Sequence, residues 1–512
     1  MKNVKTIVLQ MVVCYKIHKS KVISMKDHEI IIFLIIVSYL TRIFLTPFFV
    51  MFPYIPHDSY AHSGAGESMA EGNFFMETSK IFEPVHIRVS EYGPFFSTLM
   101  LLWYLLFGVY DFFMFKIPVI IFDVLNTLMV YFIGKKILNS RKAFYVSLLY
   151  CFSFIVLYNT AVLGDELNYS LLLMLLSTYC IMNKKFSLSA VLFSAAMMFR
   201  FSPWVLFGPA LLFYVFKKEN LKESMKYILI SGLSLLIMLS PFILLAGWYK
   251  TTYYIFGSNL GFQQSEDYKN YTLFLNIFNV LNLITNVNLN FLSLPVLFVG
   301  YIITLIFILF KRLKNVEIEL LRNIVLLGIT GLLFGPGLAG FYVTWVIAFL
   351  FILFGLKFNE KRFTTMQLVL GVCLIFVSLV IYSIIYREGI VQYSNLERML
   401  LIIVTIMAPI GTFYLFYPLN RNYRLIWTFI VLGTILSIEV LAAPLLIFPM
   451  KDFSERLINL NKFKIINELY GDHIQGGTDI FLAYGIFYGG SAIILWVCLF
   501  LLYYNLLKDN LS

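Results

Sequence analysis

Asp58 is a carboxylate at the edge of an apolar run, behind Pro56 and His57 and ahead of Tyr60 and the small-residue run Ala61 to Ala70. A carboxylate held at such a boundary is partly desolvated, which suits it to accept a proton from a hydroxyl group. The surrounding stretch, Tyr54 to Phe75, also holds His57, His62, Glu67 and Glu71, residues that a plain solvated loop would equally carry. His57 and His62 with Asp58 form a candidate divalent-metal set. The two imidazoles are not spaced to share one helical face, so the pattern assigns no metal.

Two further groups belong to the same chemistry. Asp165 and Glu166, in "GDELN", are a second carboxylate pair, read either as a functional pair or as the cap of the helix that follows. Arg200, in "MMFRFSPW", is a lone cation among apolar residues at a helix-to-helix turn, either snorkelling to the interface or meeting a phosphate. "GFYVTWVIAF" sets Tyr342 and Trp345 where an aromatic belt or a sugar-stacking surface would lie. Asn168 and Asn270 begin glycosylation sequons, which arise readily by chance.

The elements that must position these residues are membrane helices. Hydrophobic residues make up 60% of the 512 positions, 13% are charged, and Phe alone occupies 52, against roughly half apolar and a quarter charged in soluble domains. Apolar runs of the length needed to cross a bilayer recur from Ile30 to Leu507. The net charge of +11 sits in small clusters between those runs, where it orients helices and does not form a nucleic-acid surface. Five widely spaced cysteines fit apolar packing better than a disulfide framework.

Charge placement then tests the helix count. Residues 1–29 are basic and form a cytosolic N-terminal segment, with translation starting at Met1 or Met25. Ile30 to Phe49 crosses outward, and "KKILNSRK" at Lys135 marks the inside again. Two apolar runs lie between, so one of them, Phe95 to Gly108, must not span. With that choice the chain alternates through about fourteen crossings, including Ala143 to Leu163 as a single span. The outer loops are 50–111, 164–168, 249–290 and 449–479, and the candidate residues fall on that one face.

Taken in order, these segments resemble the GT-C superfamily of membrane glycosyltransferases, and more closely its mannosyltransferases of glycolipid and GPI-anchor assembly. The likeness rests on Asp58, "AEGNFF", "EYGPFF", "LGDELN", "FRFSPWVLFGP" and "GFYVTWVIAF", and covers residues 30–356 as a catalytic module. Residues 357–512 supply C-terminal transmembrane helices and are not diagnostic. The chain departs from the family's DxD-like motif at Pro56, which leaves metal dependence open.

The resemblance implies an all-α, polytopic transmembrane bundle of GT-C type with a juxtamembrane helix. It implies inverting transfer of a hexose, mannose above all, from a polyprenyl-phosphate-linked donor to a lipid or glycan acceptor at the extracytosolic face. In that reading Asp58 is the base, Asp165 and Glu166 position the acceptor or a metal, and Arg200 binds the donor phosphate, with Arg387 and Arg398 as further candidates. Tyr60, Tyr92, Tyr342 and Trp345 are the stacking candidates. The membrane would be the plasma membrane in a prokaryote and the endoplasmic reticulum in a eukaryote. The competing class, a transporter, flippase or polymerase, would show charges along a route through the membrane. Arg42, Asp123 and Glu439 are the main intramembrane charges, and they look too scattered in sequence for one.

Overall fold

The computed structural model describes residues 26–50, 69–70, 94–107, 112–164, 167–248, 251, 292–311, 313–334, 343–362, 364–386, 395–438 and 477–508. Among the described residues every regular element is helical. The longer helices are α1 (Asp27–Val50), α2 (Pro94–Phe107), α3 (Phe112–Ile137), α4 (Ser140–Cys151), α5 (Leu167–Met182), α6 (Phe186–Phe199), α7 (Gly208–Lys218) and α8 (Leu221–Ala246). They continue as α9 (Ser293–Phe310), α10 (Val316–Phe334), α11 (Thr344–Leu356), α12 (Thr365–Tyr386), α13 (Asn395–Leu415), α14 (Arg421–Ile438) and α15 (Gly477–Lys508).

The polar connections that read as cytosolic also start the helices. Asn139 Oδ1 accepts from Lys142 N, Asn220 Oδ1 from Glu223 N and Asn315 Oδ1 from Ile318 N, capping α4, α8 and α10. α1 opens with Asp27 and Glu29 in its first turn, where acids favour the exposed amides.

The same connections meet at one end of the bundle. Lys135 pairs with Asp27 at 2.6 Å, Arg141 with Glu360 at 3.4 Å, Lys184 with Glu219 at 3.7 Å, and Lys217 and Lys218 with Glu319 and Glu317 at 2.6 and 2.7 Å. Lys136 donates to Asn183, and Asn359 N to Pro418 O. Segments expected on the cytosolic side from charge alone are therefore neighbours in space.

Length and composition let α1, α3 and α8 cross a membrane over Asp27–Thr46, Lys116–Ile137 and Leu221–Leu245. Other apolar helices, α5, α6 and α11 among them, are shorter, so a count near fourteen requires them to cross within the bundle or through thinned lipid. α8 shows lipid what it should: Leu229, Leu233, Leu236, Ile237 and Leu244 are exposed.

One expected span is broken. Ala143 to Leu163 is not a single helix: α4 ends at Cys151, and a second piece, Phe154–Leu157 running into the π-helical turn Tyr158–Leu163, leaves at 52°. The break at Cys151 and the end of the second piece leave carbonyls without helix partners, and buried cations donate to them. Arg42 Nη1 donates to Cys151 O at 2.8 Å, and Lys116 Nζ to Ala161 O and Val162 O at 3.0 and 2.6 Å. Gly164 closes the π turn with φ of 70°, a left-handed conformation that glycine adopts without strain.

Candidate active site

α2 carries the "GPFF" sequence and is a 14-residue helix, about 21 Å long at 1.5 Å per residue. Pro94, Phe96, Ser97 and Met100 are buried, while Leu102, Leu105, Leu106 and Phe107 are exposed. Phe96 and Met100 form a small core with Val119 of α3, Tyr169 of α5 and Phe199 of α6, and Trp103 and Tyr104 pack on the same core. Both halves of α2 thus lie against the end of the bundle opposite the ion pairs.

The aromatic core gathers three of the segments that carry candidate residues. Tyr169, three residues beyond Glu166, stacks on Phe199 with ring centroids 5.8 Å apart, and Phe199 directly precedes Arg200. Phe95 meets Phe199 edge-on at 5.9 Å, and Phe96 lies 6.1 Å from Tyr169. Phe122 of α3 closes the cluster at 4.7 Å from Tyr169. Contacts of this kind favour tilted and edge-on rings, which fixes their relative positions.

A fourth segment joins through Met69, in the first outer loop. Its side chain is buried with Met198, Leu239 and Phe242. Met198 and Phe199 thus tie α6 both to the first outer loop and to α2.

Arg200 follows α6 in extended backbone, φ −155° and ψ 116°, before the short helix Phe201–Trp204. It is only 8% exposed, so it is held inside the bundle and does not snorkel along lipid. Trp345, in the first turn of α11, is also buried, and its neighbour Thr344 is hydrogen-bonded to Asn159 of the π turn. Arg398 lies in the first turn of α13. Asp58, Tyr60, Tyr92, Asp165, Glu166, Tyr342, Arg387 and Glu439 lie outside the described residues. Among the described residues no three His, Cys, Asp or Glu side chains cluster closely enough to hold a metal ion.

Residues with no assigned role in the sequence underlie this end of the bundle. Arg42 and Asp123, which look scattered, are a fully buried ion pair at 2.8 Å. Tyr150 OH donates to Asp123 Oδ1 at 3.0 Å, and Thr160 Oγ1 to Asp123 Oδ2 at 2.9 Å. Asn168 Nδ2 reaches Thr160 Oγ1 at 3.4 Å, and Asn126 Nδ2 donates to Asn168 O at 3.0 Å. The sequon at Asn168 is therefore buried and spent on internal bonds. A lone Lys116 in an apolar run was the sequence signal that could have exposed this seam.

Residues 91–245 match a family model. It is that of the dolichyl-phosphate-mannose-protein mannosyltransferases. The match runs from just before α2 into α8, over "GDELN" and Arg200, and bears out across that segment the resemblance to polyprenyl-phosphate-dependent glycosyltransferases. Two solved structures of ArnT from Cupriavidus metallidurans are similar to this chain, each at 13% identity. The one bound to undecaprenyl phosphate covers 91% of this chain and 78% of its own with a TM-score of 0.46, and the apo state covers 92% and 76% with 0.40. No curated protein sequence matches the chain.

Proposed function

We propose that this protein is a membrane glycosyltransferase that moves a hexose, mannose in the first instance, from a polyprenyl-phosphate donor to a lipid or glycan acceptor at the extracytosolic face. The observation that carries the reading is the family match over residues 91–245. The packing of α2, the start of α5 and the end of α6 into one aromatic core supports it, because the matched segment is then one spatial unit.

The chemistry assigns a role to each candidate. The acceptor hydroxyl attacks C1 of the sugar from the face opposite the phosphate, the C1–O bond to phosphate breaks with its electron pair, and the anomeric configuration inverts. Asp58 takes the hydroxyl proton, a contribution of about a hundredfold or more in rate. Negative charge grows on the departing phosphate, and a cation fixed beforehand stabilises it most at that moment. Arg200 is the first choice for that cation, since burial keeps its charge away from water. Arg387 and Arg398 are the reserves, Asp165 and Glu166 orient the acceptor or a metal, and Tyr60, Tyr92, Tyr342 and Trp345 bracket the sugar.

Arg42 and Asp123, two of the intramembrane charges, pair with each other, which adds no support to the transporter reading. The functional test is incubation of the purified protein with polyprenyl-phosphate mannose or glucose and membrane-extracted acceptors. Transfer of either sugar supports the proposal, and transfer of neither contradicts it.

A further inference from the structure

The π turn Tyr158–Leu163 is secured by polar bonds to two other helices. Asn159 bonds Thr344 of α11, Thr160 bonds Asp123 of α3, and the carbonyls of Ala161 and Val162 accept from Lys116, also of α3. Past the turn, Asn168 in the first turn of α5 is tied back to Thr160 through its amide, while its carbonyl accepts from Asn126 of α3. The chain is thus fixed to α3 both before Gly164 and after Leu167.

Stability alone is a poor reason for such an arrangement. A buried ion pair is often no more stabilising than apolar side chains of the same volume, and what it adds is a single permitted geometry. A π turn within a helix has a widened ladder and recurs at functional sites. Here the widened turn ends at Leu163, shortly before α5, whose Tyr169 lies in the aromatic core with Phe199.

We infer that the Arg42–Asp123 pair, acting through Thr160, is a positioning device that fixes the π turn Tyr158–Leu163 against the start of α5 for glycosyl transfer. Asp123 is its hub: Arg42 holds the carboxylate, Tyr150 occupies Oδ1, and Oδ2 receives Thr160. The effect on turnover rests on the function proposed above. The effect on the turn does not.

The test spares the ion pair, whose removal would threaten folding. Thr160→Val keeps the shape and removes the link, Thr160→Ser keeps the hydroxyl, and Thr330→Val removes a hydrogen bond to Thr304 that joins α9 and α10 away from the π turn. Each full-length variant is compared with wild type for amide hydrogen exchange over residues 158–168, thermal midpoint, and kcat and KM with polyprenyl-phosphate mannose. Thr160→Val is expected to speed exchange in that segment about tenfold, the loss of roughly one hydrogen bond. Its kcat should fall about tenfold, as a misplaced catalytic element does, with KM nearly unchanged. Thr160→Ser should restore both, and Thr330→Val should change neither. Unchanged exchange in Thr160→Val, or faster exchange with a kcat no lower than that of Thr330→Val, overturns the inference. If wild type transfers no sugar, the glycosyltransferase reading fails separately, and the exchange data alone decide whether the pair positions the turn.

Discussion

The guanidinium of Arg42 donates through Nε to Asp123 Oδ2 at 2.8 Å, with both side chains fully buried, and joins α1 to α3 in the middle of the bundle. Eighty-one positions separate the two in sequence. The pair underlies the broken helix and the turn that follows it, so its removal should be felt well beyond its own contacts.

Asp123→Ala should destabilise the protein by about 3–5 kcal/mol, because Arg42 would be left charged and unpaired in an apolar interior. Replacing both residues, Arg42→Met with Asp123→Leu, should cost less than either single change. Thermal or denaturant unfolding in detergent micelles measures all three, and a double variant as unstable as the sum of the singles would contradict the account.

At the end of the bundle that carries the ion pairs, the Glu317–Lys218 pair gives a pH dependence. Burial raises the Glu317 carboxyl, but the Lys218 hydrogen bond and a backbone bond at the start of α10 outweigh it and leave the group below the usual carboxylate range. A carboxyl lowered by folding stabilises most above its unfolded value, and that contribution fades as pH falls through the folded value. Glu317→Gln should therefore be less stable than wild type at neutral pH, and the two should converge in acid. Solvent reaches both side chains, so the gap should be small. Unfolding midpoints followed from pH 7 downward check the convergence.

α2 should be accessible from one side only. Single cysteines at Thr98 and Phe107, in a background with Cys14 and Cys373 replaced, should both react with a membrane-impermeant thiol reagent added outside intact cells or right-side-out vesicles. Labelling of one position only from the cytosolic side would mean that α2 crosses, and would overturn the charge-parity expectation.

Helical class and the grouping of the basic connections at one end of the bundle were readable in the sequence, because each depends on local composition. Lys135, Arg141, Lys184 and Lys217 mark their own side wherever the helices pack. The break after Cys151 was not readable: Ala143 to Leu163 reads as one apolar run, and Arg42, which donates to Cys151 O at the break, and Lys116, which donates to Val162 O at the end of the second piece, come from other helices. Arg42 and Asp123 looked scattered for the same reason, since their pairing exists only after α1 and α3 dock. Among the site candidates, Arg200 is legible as a lone cation, but its burial depends on how the helices pack, which sequence does not reveal.

The central claim is glycosyl transfer with Asp58 as the base. It is tested most directly by single-turnover transfer from radiolabelled polyprenyl-phosphate mannose to membrane-extracted acceptor, with wild type and Asp58→Asn compared at equal protein and equal thermal midpoint. The expected result is transfer by wild type and a rate about a hundredfold lower or less in Asp58→Asn, with donor binding retained. Equal rates in the two proteins would contradict it.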